Sequence, residues 1–120
     1  RGLGYDIQSV IAEPGDMAEF VKYIEVKSTK RLTCPDVNDE LWIDTLNITR
    51  NEWVAAQQHR DFYSIFRVYF TRDGIHMFIL KNPMQKFQDG KIQATPMTYR
   101  IDFSNVAVDD VVYGLQREGA

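Results

Sequence analysis

Tyr23-Ile24-Glu25-Val26-Lys27-Ser28-Thr29 is rich in β-favouring residues, and its charged residues sit two apart. On a strand, side chains two apart share a face. Tyr23, Glu25, Lys27 and Thr29 therefore point one way, and Ile24, Val26 and Ser28 point the other. A carboxylate and an ammonium are fixed side by side on an element whose opposite, apolar face is expected to supply the core. Upstream, Gly4-Tyr5-Asp6-Ile7 is a second strand-like run, and pairing it with the first would carry Asp6 towards Glu25. Two readings follow. Asp6, Glu25 and Lys27 form a metal-dependent phosphodiesterase site, or the charges are a cross-strand salt bridge.

Working outward, residues 5–11 are expected as the first strand, and Glu13-Pro14-Gly15-Asp16 as the turn into the second, 19–29. A polar loop over 30–40 leads to a third strand at 41–48, rich in β-favouring types. Thr49-Arg50-Asn51-Glu52 fits a capping box, and the helix it opens runs to about residue 60 with Trp53, Ala56, Gln57 and Arg60 at helical spacing. An aromatic fourth strand spans 62–70. Asp73-Gly74 then turns the chain into a fifth strand at 75–80. Residues 82–90 read as a short helix or loop, 97–103 as an edge strand and 106–115 as a helix. The strand–helix–strand passage from the third to the fourth strand implies a parallel crossover within a mixed α/β sheet.

The 120 residues fit one domain with a single core. No apolar run approaches the roughly 20 residues that span a bilayer, so no membrane partner is expected. The single cysteine, Cys34, excludes an intramolecular disulfide and a thiolate-rich zinc site, which suits an intracellular location, cytoplasmic if the source is bacterial. A net charge of −3 argues against a passive DNA-coating protein. It argues less against a nuclease, whose acidic pocket holds cations. The chain starts at Arg1 without a methionine and reads as a fragment of a longer protein.

Hydrolysis of a phosphodiester needs an activated water, charge relief on the phosphoryl oxygens and help for the leaving oxygen. Mg²⁺ or Mn²⁺ can supply all three from a cage of hard oxygen ligands. Asp6, Glu25 and the backbone carbonyl of Val26 are the candidate ligands, and Lys27 the candidate for orienting water or offsetting phosphate charge. As a pattern, Glu-x-Lys is common by chance, so the ion-pair reading stands beside the catalytic one.

The blocks Gly4-Tyr5-Asp6-Ile7, Ile24-Glu25-Val26-Lys27-Ser28-Thr29 and Ile48-Thr49-Arg50-Asn51-Glu52-Trp53 with Ala56, followed by Tyr63 and Arg67-Val68-Tyr69, resemble one family. It is the domain at the C-terminus of the plant protein NO VEIN, found also in bacterial proteins of restriction or phage-defence type. The resemblance covers about residues 4–70. It implies the PD-(D/E)xK, or restriction endonuclease-like, fold: a mixed β-sheet core of strand, strand, strand, helix, strand, here with an appended β-hairpin. The superfamily's first helix is expected to lie before Arg1. On this resemblance Asp6 and Glu25 are the metal-binding acids and Lys27 the catalytic lysine of a Mg²⁺- or Mn²⁺-dependent DNA endonuclease. The family's usual setting implies fusion to an ATPase, helicase or methyltransferase. The alternative is an inactive module on the same fold that binds nucleic acid or protein.

Gln8 shares a face with Asp6 and is a candidate substrate contact, as are Thr29 and Ser28 near the strand end. Lys22, Lys27, Lys30, Arg31 and Arg50 gather positive charge that suits a phosphate backbone or a solvated face. Gln57 is a candidate because glutamine occupies a similar place in some superfamily relatives. Thr49 and Glu52 are read as helix caps, and Trp42, Trp53 and the aromatics of 62–70 as core. His59, His76 and Cys34 lack companions at ligand or nucleophile spacing.

Overall fold

A computed structural model describes residues 7–12, 19–96 and 99–115. Asp6 and the turn at 13–16 lie outside them. The strands β1 (Ile7–Ala12) and β2 (Glu19–Lys30) pair antiparallel, with Gln8 opposite Tyr23. After a loop come β3 (Asp44–Ile48), α1 (Arg50–His59) and β4 (Tyr63–Thr71). The hairpin partner β5 (Gly74–Lys81), α2 (Pro83–Gln88), β6 (Ile92–Thr95), β7 (Tyr99–Phe103) and β8 (Asp110–Leu115) complete the order.

The strands form two sheets, one ordered β1-β2-β4-β5-β8 and the other β3-β7-β6. Among the described residues, the one parallel contact is between β2 and β4, with Glu25 beside Ile65, Lys27 beside Arg67 and Thr29 beside Tyr69. This corrects the expected crossover, because the strand parallel to β4 is β2 and not β3. The reason is visible in β3, where Asp44, Leu46 and Ile48 are buried and Thr45 and Asn47 exposed. A strand with one wet face suits an antiparallel outer layer, whereas a parallel pair is normally covered. Two further expectations are corrected. β7 pairs with both β3 and β6, so it is the middle strand of its sheet and not an edge. The segment after residue 109 is the strand β8 and not a helix. Adjacent Val111 and Val112 and the positive φ of Gly114 (71°) oppose a helix, and β5 offers backbone partners.

The core lies between the first sheet and a layer made of α1 and the second sheet. Tyr63, Ile65 and Tyr69 of β4 and Phe78 and Leu80 of β5 meet Trp53 and Ala56 of α1, and Leu46, Ile48, Ile92, Ile101 and Phe103 of the second sheet. Trp53 stacks on Tyr99 with ring centroids 4.7 Å apart, fixing the helix to β7. Register then determines which face of β2 is inside. Tyr23 packs against this core, so Glu25 and Lys27 face inward with Tyr63, Ile65 and Arg67. The sequence pattern pointed the other way, to Ile24, Val26 and Ser28. Apolarity alone did not mark the Glu25 face as inward, because its charges are paired with side chains from other elements, while Ile24 on the opposite face is buried as well.

α1 starts where the capping box requires. Thr49 Oγ1 accepts from the Glu52 amide at 3.1 Å, and Glu52 Oε1 accepts from the Thr49 amide at 2.7 Å. Its end is tied to α2, where the Arg60 guanidinium donates to Gln85 and Gln88 at 3.0 and 2.8 Å. Among the described residues, no helix is long and apolar enough to cross a membrane.

Candidate active site

Glu25 sits in the middle of β2, directly beside β4, and is fully buried at 0% exposure. Lys27, next on the same face, places Nζ 3.5 Å from Glu25 Oε2. The same ammonium donates to both oxygens of Glu52, at 2.9 and 3.2 Å. Glu52 is held by the capping box at the first turn of α1, so helix initiation and the Lys27 contact use one carboxylate. Burial pushes the Glu52 carboxyl up. The Thr49 amide, the hydrogen bonds and charge of Lys27, and the hydrogen bond with Glu25 outweigh it and hold that carboxyl below its ordinary value. Two carboxyl groups therefore share one ammonium. Like charges this close repel, and one ammonium offsets only one of them.

A second buried cluster adjoins the first along β4. Arg67, beside Lys27 in register, donates to Asp44 Oδ2 at 2.8 Å and to the Lys27 carbonyl at 3.4 Å. Tyr69 donates to Asp44 Oδ2 at 2.5 Å, and the Thr45 amide to Asp44 Oδ1 at 2.8 Å. Arg31 approaches from the end of β2, 3.6 Å from Asp44. Burial raises the Asp44 carboxyl, but the bonds from Arg67 and Tyr69, the Arg67 charge and the Thr45 amide bring it below its ordinary value. Burial, then the bond and charge of Asp44, push the Tyr69 phenol far above its own. Asp44 is thus saturated with donors and joins β3 to the first sheet.

The structure brings Glu25 and Lys27 together as expected, while Asp6 lies outside the described residues. Gln8 is on β1 opposite Tyr23. Val26 is half-buried, with its side chain on the face opposite Glu25. Thr29 is half-buried beside Tyr69, and Lys30 is exposed at the end of β2. Arg50 and Gln57 are both exposed on α1. At about 100° per residue, Gln57 lies about 140° round the helix from Glu52. Cys34 is half-buried and its thiol donates to the Pro35 carbonyl at 3.4 Å. Burial raises that thiol despite the opposing charge of Arg31, with Asp36 adding to the rise, so it stays protonated. His59 stacks on Tyr23 with centroids 3.8 Å apart.

Sequence reasoning missed the roles of Glu52 and Asp44. The cap accounts for Glu52 completely at the level of sequence and hides its second partner. Asp44 carried a usable signal, because it shares strand parity with Leu46 and Ile48 and an acid on an apolar face needs partners.

The model of the family described as protein NO VEIN, C-terminal, matches residues 1–80. This chain belongs to that family. The match takes in β1 to β4 and most of β5, and so includes both polar clusters of this NO VEIN-family domain. α2 and β6 to β8 lie beyond it. No curated protein and no solved structure matches the chain significantly.

Proposed function

We propose that this NO VEIN-family domain has the restriction endonuclease-like fold and hydrolyses DNA phosphodiesters with a divalent cation. The observation that carries the reading is Glu25, fully buried and sharing one ammonium with a second carboxyl group. The arrangement also supports it: an Asp6-bearing N-terminal segment leads into β1, then the Glu25-x-Lys27 strand, a capped helix, and a strand parallel to the Glu25 strand.

The donor set fits Mg²⁺ or Mn²⁺ in kind, since buried carboxylate oxygens carrying surplus negative charge are what a hard cation takes. Glu25, the Val26 carbonyl and Asp6 would hold it, although among the described residues no three acidic, histidine or cysteine side chains gather as a ligand group. When bound, such a cation supplies an activated water and charge relief at the phosphoryl group. The chain's own contribution is positional. β2 fixes the spacing of Glu25 and Lys27. Glu52 anchors the ammonium from the helix, and Lys27 offsets phosphate charge as a compact point charge. DNA is the substrate in this reading. The domain acts inside the cell in a restriction or defence setting, beside an ATPase, helicase or methyltransferase partner.

A calorimetric titration with Mn²⁺ tests the site directly. Binding by the wild type that disappears in Glu25→Gln supports it, and absence of binding at millimolar Mn²⁺ overturns it. The alternative is a catalytically inactive module that binds nucleic acid or a protein partner. The closure of both Glu52 oxygens on Lys27 favours it. It predicts DNA or partner binding that survives both Glu25→Gln and Lys27→Ala.

A further inference from the structure

Where β2 lies against β4, the inward cations and acids are divided into two groups. Lys27 pairs with Glu25 at 3.5 Å and with Glu52 at 2.9 Å. Arg67 and Arg31 pair with Asp44, at 2.8 and 3.6 Å. Strand position alone does not impose this division. Arg67 and Lys27 are partners in the parallel register, so both side chains leave the same face of the sheet. Glu25 lies diagonally across from Arg67, about 8 Å away between Cα atoms, a span that an arginine side chain can cross. What holds the guanidinium elsewhere is a fork at Asp44. Its Nε donates to Oδ2 at 2.8 Å and its Nη2 to Oδ1 at 3.3 Å. Nη2 also donates to the Thr45 carbonyl at 3.3 Å, and Nη1 to the Lys27 carbonyl at 3.4 Å.

We propose that Asp44 is a positioning residue for the active site: by holding Arg67 aside, it reserves Glu25 and Glu52 for Lys27 and a divalent cation. The cation in this inference rests on the proposed function; the choice of ion pairs rests on the geometry alone. A guanidinium stays charged in a protein. The Arg67 side chain is only 9% exposed, so without Asp44 it has no route to water. Arg31, at 41% exposure, does. Arg67 therefore turns to the next acid on the inward face of β2, which is Glu25. A planar fork grips a carboxylate at two points, whereas an ammonium meets it as a point charge. The freed Arg67 thus displaces Lys27 from the acidic pair, and its charge takes the place proposed for the divalent cation.

The reactivity of Lys27 reads the pairing without metal or DNA. The folded protein is treated briefly with acetic anhydride in EDTA, and labelling of Lys27 is quantified by mass spectrometry against the exposed Lys91. Asp44→Asn is expected to raise Lys27 labelling about ten-fold over the wild type. Asp44→Asn/Arg67→Met is expected to return it to within about two-fold of the wild type, although it restores no bond to position 44. A merely structural Asp44 predicts that the double variant labels as fast as the single one. Should Asp44→Asn fail to fold by circular dichroism, Arg67→Lys replaces it, keeping the charge and losing the fork, with Arg67→Met as its neutral control. Unchanged labelling in the charged variant, or labelling that stays high in the neutral one, overturns the proposal. Calorimetry with Mn²⁺ separates it from the proposed function. Mn²⁺ binding weakened about ten-fold in Asp44→Asn and regained in the double variant supports both. The expected labelling in a wild type that binds no Mn²⁺ leaves the ion-pair role of Asp44 standing and removes the cation site. Mn²⁺ binding with labelling unchanged in Asp44→Asn does the reverse.

Discussion

Asp44 shows how single residues hold this molecule together. Its carboxylate accepts from Arg67, Tyr69 and the Thr45 amide, and removing its charge leaves the buried Arg67 guanidinium uncompensated. Asp44→Asn is expected to cost about 3 kcal/mol or more, measured by urea denaturation. The folded carboxyl titrates below its ordinary value, so its contribution is complete above the unfolded value of about 4. That contribution is lost as the pH falls through the folded value. The stability gap between wild type and Asp44→Asn should therefore narrow from pH 5 towards pH 2; a constant gap would contradict the linkage. Glu52 can be dissected in the same way, because its two tasks separate. Glu52→Gln keeps an acceptor for the Thr49 amide but withdraws the charge from Lys27. Thr49→Ala removes the cap and leaves Lys27 alone. Thr49→Ala is expected to lower stability by about 1 kcal/mol with cleavage retained. Glu52→Gln is expected to lower cleavage about ten- to a hundred-fold at nearly constant melting temperature. The pairing of Glu25 with Lys27 was legible in the sequence from strand parity alone. The engagement of Glu52 was not, because contact between residues 27 and 52 is set by how α1 lies on the sheet.

At the scale of elements, local chemistry was a good guide and long-range pairing was not. The capping box started α1 at Arg50, and Asp73-Gly74 turned β4 into β5. Gly74 has φ of 136°, and a Cβ there would meet the Leu115 carbonyl oxygen at 3.1 Å. Gly74→Ala is therefore expected to cost about 1–3 kcal/mol in thermal or urea unfolding, loosening the contact between β5 and β8. Strand membership was harder to read. β3 and β7 are separated by about fifty residues, and nothing in either segment names the other. The tail was misread because β-branching competed with a weak helical pattern, and the open edge of β5 decided the outcome.

For the whole molecule, the family match ends at residue 80, but the core does not. Ile92, Ile101 and Phe103 fill the layer under α1, and β3 gains its backbone partners from β7. A chain truncated after Leu80 is expected to lose cooperative thermal unfolding by circular dichroism, despite carrying the matched segment intact. A sharp transition would show that the second sheet is dispensable. The second sheet presses α1 onto the first, and α1 delivers Glu52 to Lys27, so fold and site depend on each other.

The central claim is that Glu25 and Lys27 form a divalent-cation-dependent site that cuts DNA. The direct measurement is nicking of supercoiled plasmid by the protein in Mg²⁺ or Mn²⁺, set against Lys27→Ala and against EDTA. The account predicts nicking by the wild type, none in EDTA, and a loss of at least about a hundred-fold in Lys27→Ala with DNA binding retained. Nicking that survives Lys27→Ala unchanged, or a wild type that cuts no form of DNA with either cation, would contradict it.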